Sequence, residues 1–286
     1  MKIKISADST CDLSQEIVAK YGIGIVPLYV SLGERSLLDG ESICPNDIYD
    51  YYKQSKKLPK SGARSIDDYY DYFSGVLNSG YDAIVHFTIS SDMSASFQNA
   101  ENAAKKLKNV FVVDSRSLST GIGLLVLDAC DMLLEGKSAE YIVERAKKRT
   151  AAVQASFLID SLEFLHKGGR CSSLAYFGAN LLRLKPSILV RDGKMGTWNK
   201  FPGKYIHCLQ KYVDAVKKTF VNPDKKRCFI THTALEDGIA ESVIETVKSW
   251  GIFDEVLETV AGCTVTTHCG AGTLGVLFIN DGGLEQ

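Results

Sequence analysis

The sequence has almost no surplus charge. Its 33 lysines and arginines meet 34 aspartates and glutamates, for a net charge of −1. Proteins that hold nucleic acid by its phosphates carry a basic excess gathered on one face. That class is therefore excluded, and runs such as Lys147-Lys148-Arg149 read as solvated helix ends. Eight cysteines are present, yet no pair of them has C-x-x-C spacing, so no structural zinc motif is expected. No stretch is apolar for the roughly eighteen residues that would suggest a membrane span. The opening segment MKIKISADST lacks the apolar run of an export signal. The expectation is a cytoplasmic chain with free thiols, several of them acting as small core hydrophobes. A phosphate-binding P-loop and the G-x-S-x-G elbow of α/β-hydrolases are also missing, which speaks against both of those enzyme classes.

What is present is the composition of a folded globular chain, 45% hydrophobic and 23% charged over 286 residues. That length allows one large or two ordinary α/β domains. One literal G-x-G-x-x-G occurs, at Gly270-Ala271-Gly272-Thr273-Leu274-Gly275. A dinucleotide loop must follow a strand, open a helix and sit in a βαβ unit of about thirty residues. Here a strand-like run, Val276-Leu277-Phe278-Ile279, follows, and the sequence stops eleven residues after Gly275. The nucleotide reading is set aside, and no cofactor is expected.

The first half alternates strand and helix signals. Lys2–Ser6 reads as a strand ending in a polar turn, Asp12 with Gln15 resembles a capping box, and Gly22 reads as a helix stop. Residues 23–32 form one extended run, and Ser65 opens a helix with Ile66, Tyr69, Tyr70, Phe73, Val76 and Leu77 at helical spacing. Residues 82–89 and 109–114 are short β-rich runs, each followed by a serine-rich turn and a helical segment. Repeated β-turn-α units predict a parallel sheet with helices on both faces. In the second half, residues 153–159 read as a strand, 161–165 as a short helix stopped by Gly168-Gly169, and 172–184 as a helix. The turn pair Asp192-Gly193 sits between two extended runs, 186–191 and 194–201, which predicts a hairpin inside a mixed sheet. Helices over 204–220 and 235–250 and strands over 227–232 and 255–260 complete the pattern. The expected organisation is an N-terminal α/β domain over 1–152 and a C-terminal α/β domain with a mixed sheet over 153–286.

Four polar clusters follow extended runs: Asp8–Thr10, Lys60–Ser65, Ser90–Ser96 and Asp114–Gly121. In open α/β sheets ligands bind beyond the carboxyl ends of the strands, and hydroxyls there can hold an anion or merely cap a helix. Of the five histidines, His86 lies in the apolar run Ala83–Phe87 and reads as a core residue. His166 and His207 read as structural or exposed, and His232 ends a strand. His268 precedes the glycine-rich turn, where backbone can approach a ligand closely. Arg170 follows Gly168-Gly169 and can fork onto a carboxylate or phosphate. A serine-dependent hydrolase or other small-molecule enzyme remains the alternative, because triad partners are spatial rather than sequential neighbours.

Six segments in this order resemble the DegV family of bacterial fatty-acid-binding proteins. They are Asp8-Ser9 with Asp12-Leu13; Pro59-Lys60-Ser61; Ile89 through Ala100; Val113-Asp114-Ser115 with Ser119 and Gly121; Leu165 through Arg170; and His268 through Gly275. The resemblance implies a two-domain α/β fold, an N-terminal three-layer α/β/α domain with a parallel sheet and a C-terminal domain with a mixed sheet. It implies one long-chain fatty acid buried between them, with no catalysis by this chain alone. The carboxylate is expected on Ser61, Ser94, Ser96 and His268, with Arg170 and His268 near the mouth. The implied partner is a separate ATP-dependent fatty acid kinase subunit that makes an acyl phosphate for phospholipid synthesis; transient contact with a membrane surface fits the same role. The sequence departs from the family pattern at Ser61 (usually Thr), at Gly62-Ala63-Arg64 (usually Ser-Gln-Pro), at Ala95 (usually Gly) and at Ala271 (usually Pro). A long tail gains roughly 0.8 kcal/mol per buried methylene, so ~14 of them offer about 11 kcal/mol before ordering costs. The stripe Leu174, Phe177 and Leu181 is a candidate wall for such a tail.

Overall fold

The computed structural model describes residues 1–170 and 184–283. The chain opens with β1 (Ile3–Asp8), a 3-10 turn over Ser9–Cys11, α1 (Gln15–Tyr21) and β2 (Gly24–Val26). Next come β3 (Tyr29–Leu32), β4 (Arg35–Leu38), α2 (Pro45–Ser55) and β5 (Lys60–Gly62). The first half continues through α3 (Ile66–Asn78), β6 (Ala83–Thr88), α4 (Ser96–Ala104), β7 (Val110–Asp114), α5 (Thr120–Leu134) and α6 (Ala139–Arg149). The second half begins with β8 (Val153–Ile159), α7 (Glu163–Gly168), β9 (Leu184–Arg191), β10 (Lys194–Pro202) and α8 (Tyr205–Thr219). It ends with β11 (Arg227–His232), α9 (Ile239–Lys248), β12 (Glu255–Val260), α10 (Cys263–Cys269) and β13 (Thr273–Ile279).

The first sheet has the order β2-β1-β6-β7, with every pairing parallel. Its central strands β1 and β6 bury both faces, as strands of a parallel sheet between helices must. In β6, Ile84 packs with Tyr69 and Phe73 of α3 and Ala100 of α4. Its neighbours Val85 and Phe87 point the other way, into a core shared with α5 and α6. The result is a three-layer α/β/α lobe. The second sheet, β10-β9-β8-β13-β11-β12, is mixed: only β11 and β12 pair in parallel. The β9–β10 hairpin turns at Asp192 and Gly193, whose φ angles of 50° and 79° suit a tight two-residue turn. One face of this sheet carries α8 and α9, where Leu209, Tyr212 and Val243 meet Leu158, Val276 and Phe278. On its other face Ala155, Phe157 and Leu277 share the large core with Ile122 and Leu125 of α5.

Helix α5 therefore lies between the two sheets and is buried on nearly every side, which is why its sequence is apolar all round. Each fully buried leucine or isoleucine there contributes roughly 1.5–3 kcal/mol. Gly123 lets the helix approach the start of the chain: a Cβ there would stand 2.7 Å from Leu13 Cδ2 and 3.1 Å from the Cys11 carbonyl. We propose the change of sheet at Val153 as the boundary between the two lobes. Arg149, expected from the sequence in a solvated helix end, instead clasps them together, only 1% exposed and bonded to Asp128 at 2.7 Å, to Asp281 at 2.9 Å and to Asp224.

Several elements differ from the sequence-based expectation. Ser14, not Asp12, caps α1, its hydroxyl accepting from Ile17 N; Asp12 is turned inward with φ 50°. The extended run over 23–32 is two strands in different sheets, split at Pro27, which has no N–H to continue a ladder. The helix expected from 235 starts only at Ile239, behind Gly238 with φ 81°. Features not anticipated include α2, the three-stranded antiparallel sheet β4-β3-β5 and α10. The helix expected over 172–184 and the candidate wall Leu174, Phe177 and Leu181 lie outside the described residues, except Leu184, which opens β9. No helix among the described residues is long and apolar enough to cross a membrane.

Candidate functional site

Between the lobes lies a cavity of about 290 Å³, beyond the carboxyl ends of β6 and β7, the usual ligand position in an open α/β sheet. Its wall is mostly apolar. Leu28, Ile89, Met93 and Leu118 come from the N-terminal lobe, Met195 from β10, and Val265 and Cys269 from α10. The polar lining is short: Ser61, Ser94, Thr264, His268 and Arg170.

Ser61 sits on β5, which pairs antiparallel with β3 and brings Ser61 opposite Val30. Its hydroxyl lies 2.7 Å from His268 Nε2. His268 is near the C-terminal end of α10, and its other ring nitrogen, Nδ1, is buried with no hydrogen-bond partner. Nδ1 faces Gly168: a Cβ on Gly168 would stand 2.6 Å from it, so only glycine leaves room for the ring. Burial pushes the His268 pKa from 6.5 down to about 4, and the positive charge of Arg170 adds to the effect. The imidazole is neutral at neutral pH.

Ser94 follows β6 in a turn closed by its own amide on the Ser90 carbonyl at 3.2 Å. Its Oγ accepts from Ser96 N at 3.2 Å and lies 3.0 Å from Ser96 Oγ. The two serine motifs are tied together by Asn99 of α4, whose side chain donates to the Arg64 carbonyl at 2.7 Å. Arg170 is exposed, its Nη1 donating to the Gly168 carbonyl at 2.8 Å, just past the α7 stop at Gly169, φ 70°.

Of the five candidate site residues, the fold brings Ser61, Ser94, Arg170 and His268 to one cavity. Ser96 stands behind Ser94, fully buried and bonded to it, and does not line the space. Ala95 lines it, and Ala271 is exposed outside it. Two of the four polar clusters serve the framework instead. Ser9 donates to Asp39 at 2.9 Å, and Ser119 donates to Asp12 at 2.5 Å. His86 is a core residue, with Nδ1 3.0 Å from Ser6 Oγ and Nε2 3.3 Å from Asp8. Sequence reasoning missed the apolar wall. Leu28 and Met195 are single residues in unrelated elements, and Ile89 and Leu118 fall inside motif segments that carry no sign of an apolar wall. Among the described residues, no group of three or more His, Cys, Asp or Glu is placed to hold a metal ion.

Fold and cavity together define a two-lobed α/β protein with an apolar chamber whose hydroxyls, imidazole and arginine are few and named above. The chain belongs to the DegV family: the family profile described as "Uncharacterised protein, DegV family" matches residues 2–281. It is 31% identical to a DegV domain-containing protein of Clostridium acetobutylicum over 282 residues, covering 97% of this chain and 98% of the other. It is 28% identical to a Thermotoga maritima protein named "Fatty acid-binding protein", covering 96% of each chain. Among solved structures, a fatty-acid-binding DegV family protein of Thermus thermophilus superposes with a TM-score of 0.90 at 28% identity, covering 98% of this chain and all of the other. A stearic acid-binding protein of Eubacterium ventriosum does so with a TM-score of 0.84 at 27% identity, covering 97% and 98%.

Proposed function

We propose that this chain binds one long-chain fatty acid between its lobes and presents the carboxylate to a separate ATP-dependent kinase subunit, which forms the acyl phosphate. The observation that carries the reading is the composition of the cavity. An apolar chamber suits a tail, and Ser61 and Ser94 supply hydroxyls at its wall. Neutral donors hold a carboxylate without burying a permanent ion pair, which would cost desolvation. His268 is neutral and bonded to Ser61. Arg170 is exposed, which suits a role toward a partner and the developing phosphate. The family membership and the fatty acids named for similar structures support the same reading.

The hydrolase alternative has one attractive feature, the Ser61–His268 pair at 2.7 Å. A triad histidine needs a carboxylate on its other nitrogen to fix its orientation and stabilise its charged form. His268 Nδ1 meets Gly168 instead and has no hydrogen-bond partner. That arrangement favours a positioned neutral imidazole over a general base.

The test is the cargo. Protein purified without added lipid, then denatured and extracted, should release a long-chain acid detectable by mass spectrometry. An empty extract together with no response to long-chain acids in titration would overturn the reading.

A further inference from the structure

Asp12 and Asp39 are 5% and 3% exposed, and neither has a lysine or arginine partner among the described residues. Buried carboxylates without a cation are costly unless donors fill their oxygens. Here the donors come from the far end of the chain. Asp12 Oδ1 accepts from Gly262 N at 2.8 Å, Asp39 Oδ1 from Cys263 N at 2.7 Å, and Asp39 Oδ2 from Thr264 N at 3.1 Å. These are three successive amides at the start of α10, groups that no helix can satisfy internally.

Helix α10 has little else to hold it in shape. It is seven residues long, Cys-Thr-Val-Thr-Thr-His-Cys, below the length that is stable alone and rich in β-branched residues. Yet it carries Thr264, Val265 and His268 to the cavity. Asp12 also reaches the opposite wall. Its Oδ2 accepts from the Ser119 hydroxyl at 2.5 Å, and Ser119 holds a strained backbone, φ 54° and ψ −146°, beside the lining residue Leu118. Asp39 is braced in turn by Ser9, which donates to it and accepts from Leu28 N at 3.1 Å.

We propose that Asp12 and Asp39 are positioning residues of the ligand site. They hold the start of α10 and, through Ser119, the start of α5, so that His268 stays on Ser61 and in its dry setting. This deepens the proposed function, on which it rests only for ligand affinity.

The experiment compares Asp39→Ala and Ser119→Ala with wild type. Ser14→Ala, which removes the α1 cap on Ile17 N, controls for the loss of a helix cap elsewhere. The first readout is the titration of the His268 ring by NMR in ligand-free protein. Wild type should titrate near 4, and both test variants should move upward by about one unit or more, toward the ordinary histidine value, as water enters. The second readout is hexadecanoate affinity, which should fall about tenfold, as for a lost charge-assisted hydrogen bond. Ser14→Ala should change neither. Folded test variants with wild-type His268 titration and affinity would overturn the proposal. Should Asp39→Ala fail to fold, Ser119→Ala decides alone. Should wild type not bind hexadecanoate, the proposed function fails while the His268 titration still tests the positioning role.

Discussion

Ser61 and His268 are 207 residues apart in the chain and 2.7 Å apart in the structure. Their contact joins the small three-stranded sheet to α10 at the wall of the cavity. It pairs a hydroxyl with a neutral imidazole, and the one charged group of the lining among the described residues is the exposed Arg170.

Replacing Ser94 by alanine removes a cavity hydroxyl together with its bonds to Ser96. Acid binding should weaken by about 1.5–3 kcal/mol, the usual worth of a hydrogen bond to a charged group. Calorimetric titration with a long-chain acid measures this, and unchanged affinity would take Ser94 out of the site.

The proposed hand-over to a kinase makes Arg170→Ala and His268→Ala a test that separates binding from phosphorylation. Fatty-acid affinity should survive these changes better than acyl-phosphate formation in the presence of the kinase subunit. Parallel binding and coupled phosphorylation assays give the comparison. Equal losses in both would contradict the division of labour.

Asp12 and His268 make opposite contributions to the pH dependence of stability. Burial raises Asp12 from 3.8 to about 7, helped by the charge of Asp39. Between those values the folded form binds more protons than the unfolded one, so Asp12 makes stability fall as pH rises. His268 is lowered from 6.5 to about 4. In that window the unfolded form binds the extra proton, so His268 makes stability rise with pH. Each slope is at most about 1.4 kcal/mol per pH unit, and in wild type the two oppose. Urea unfolding of Asp12→Asn at acidic and neutral pH should show a more positive slope than wild type. His268→Gln should show a more negative one. Matching slopes in all three proteins would refute the assignment.

Leu118, Val265 and Cys269 line both the main cavity and a separate void of about 20 Å³ beside Phe157 and Leu277. Leu118→Ala should join the two spaces and shift the preferred cargo toward longer tails, each added methylene gaining roughly 0.8 kcal/mol where it finds room. A competition series over acyl length tests it. An unaltered preference would mean the tail runs elsewhere.

The boundaries that were legible in the sequence are those written by local rules. The strands at 153–159, 227–232 and 255–260 follow their β-rich runs to the residue. Gly22 and Gly169 stop their helices in the left-handed conformation that glycine tolerates. What escaped was governed by partners far away. The residues of α10 have strand-like propensities, and they form a helix because two aspartates some 224 and 250 residues earlier satisfy its first amides. Asp12 read as a cap for its own helix for the same reason in reverse.

The sequence by itself determined the class of fold, because hydrophobic period and turn chemistry are encoded within a few residues. Through its ordered motifs it also named Ser61, Ser94, Arg170 and His268. Only the tertiary structure decided that these four share one cavity, that Ser96 stands behind it, and which scattered apolar side chains wall it. A chamber between lobes is a property of packing, and packing joins residues that no local pattern connects.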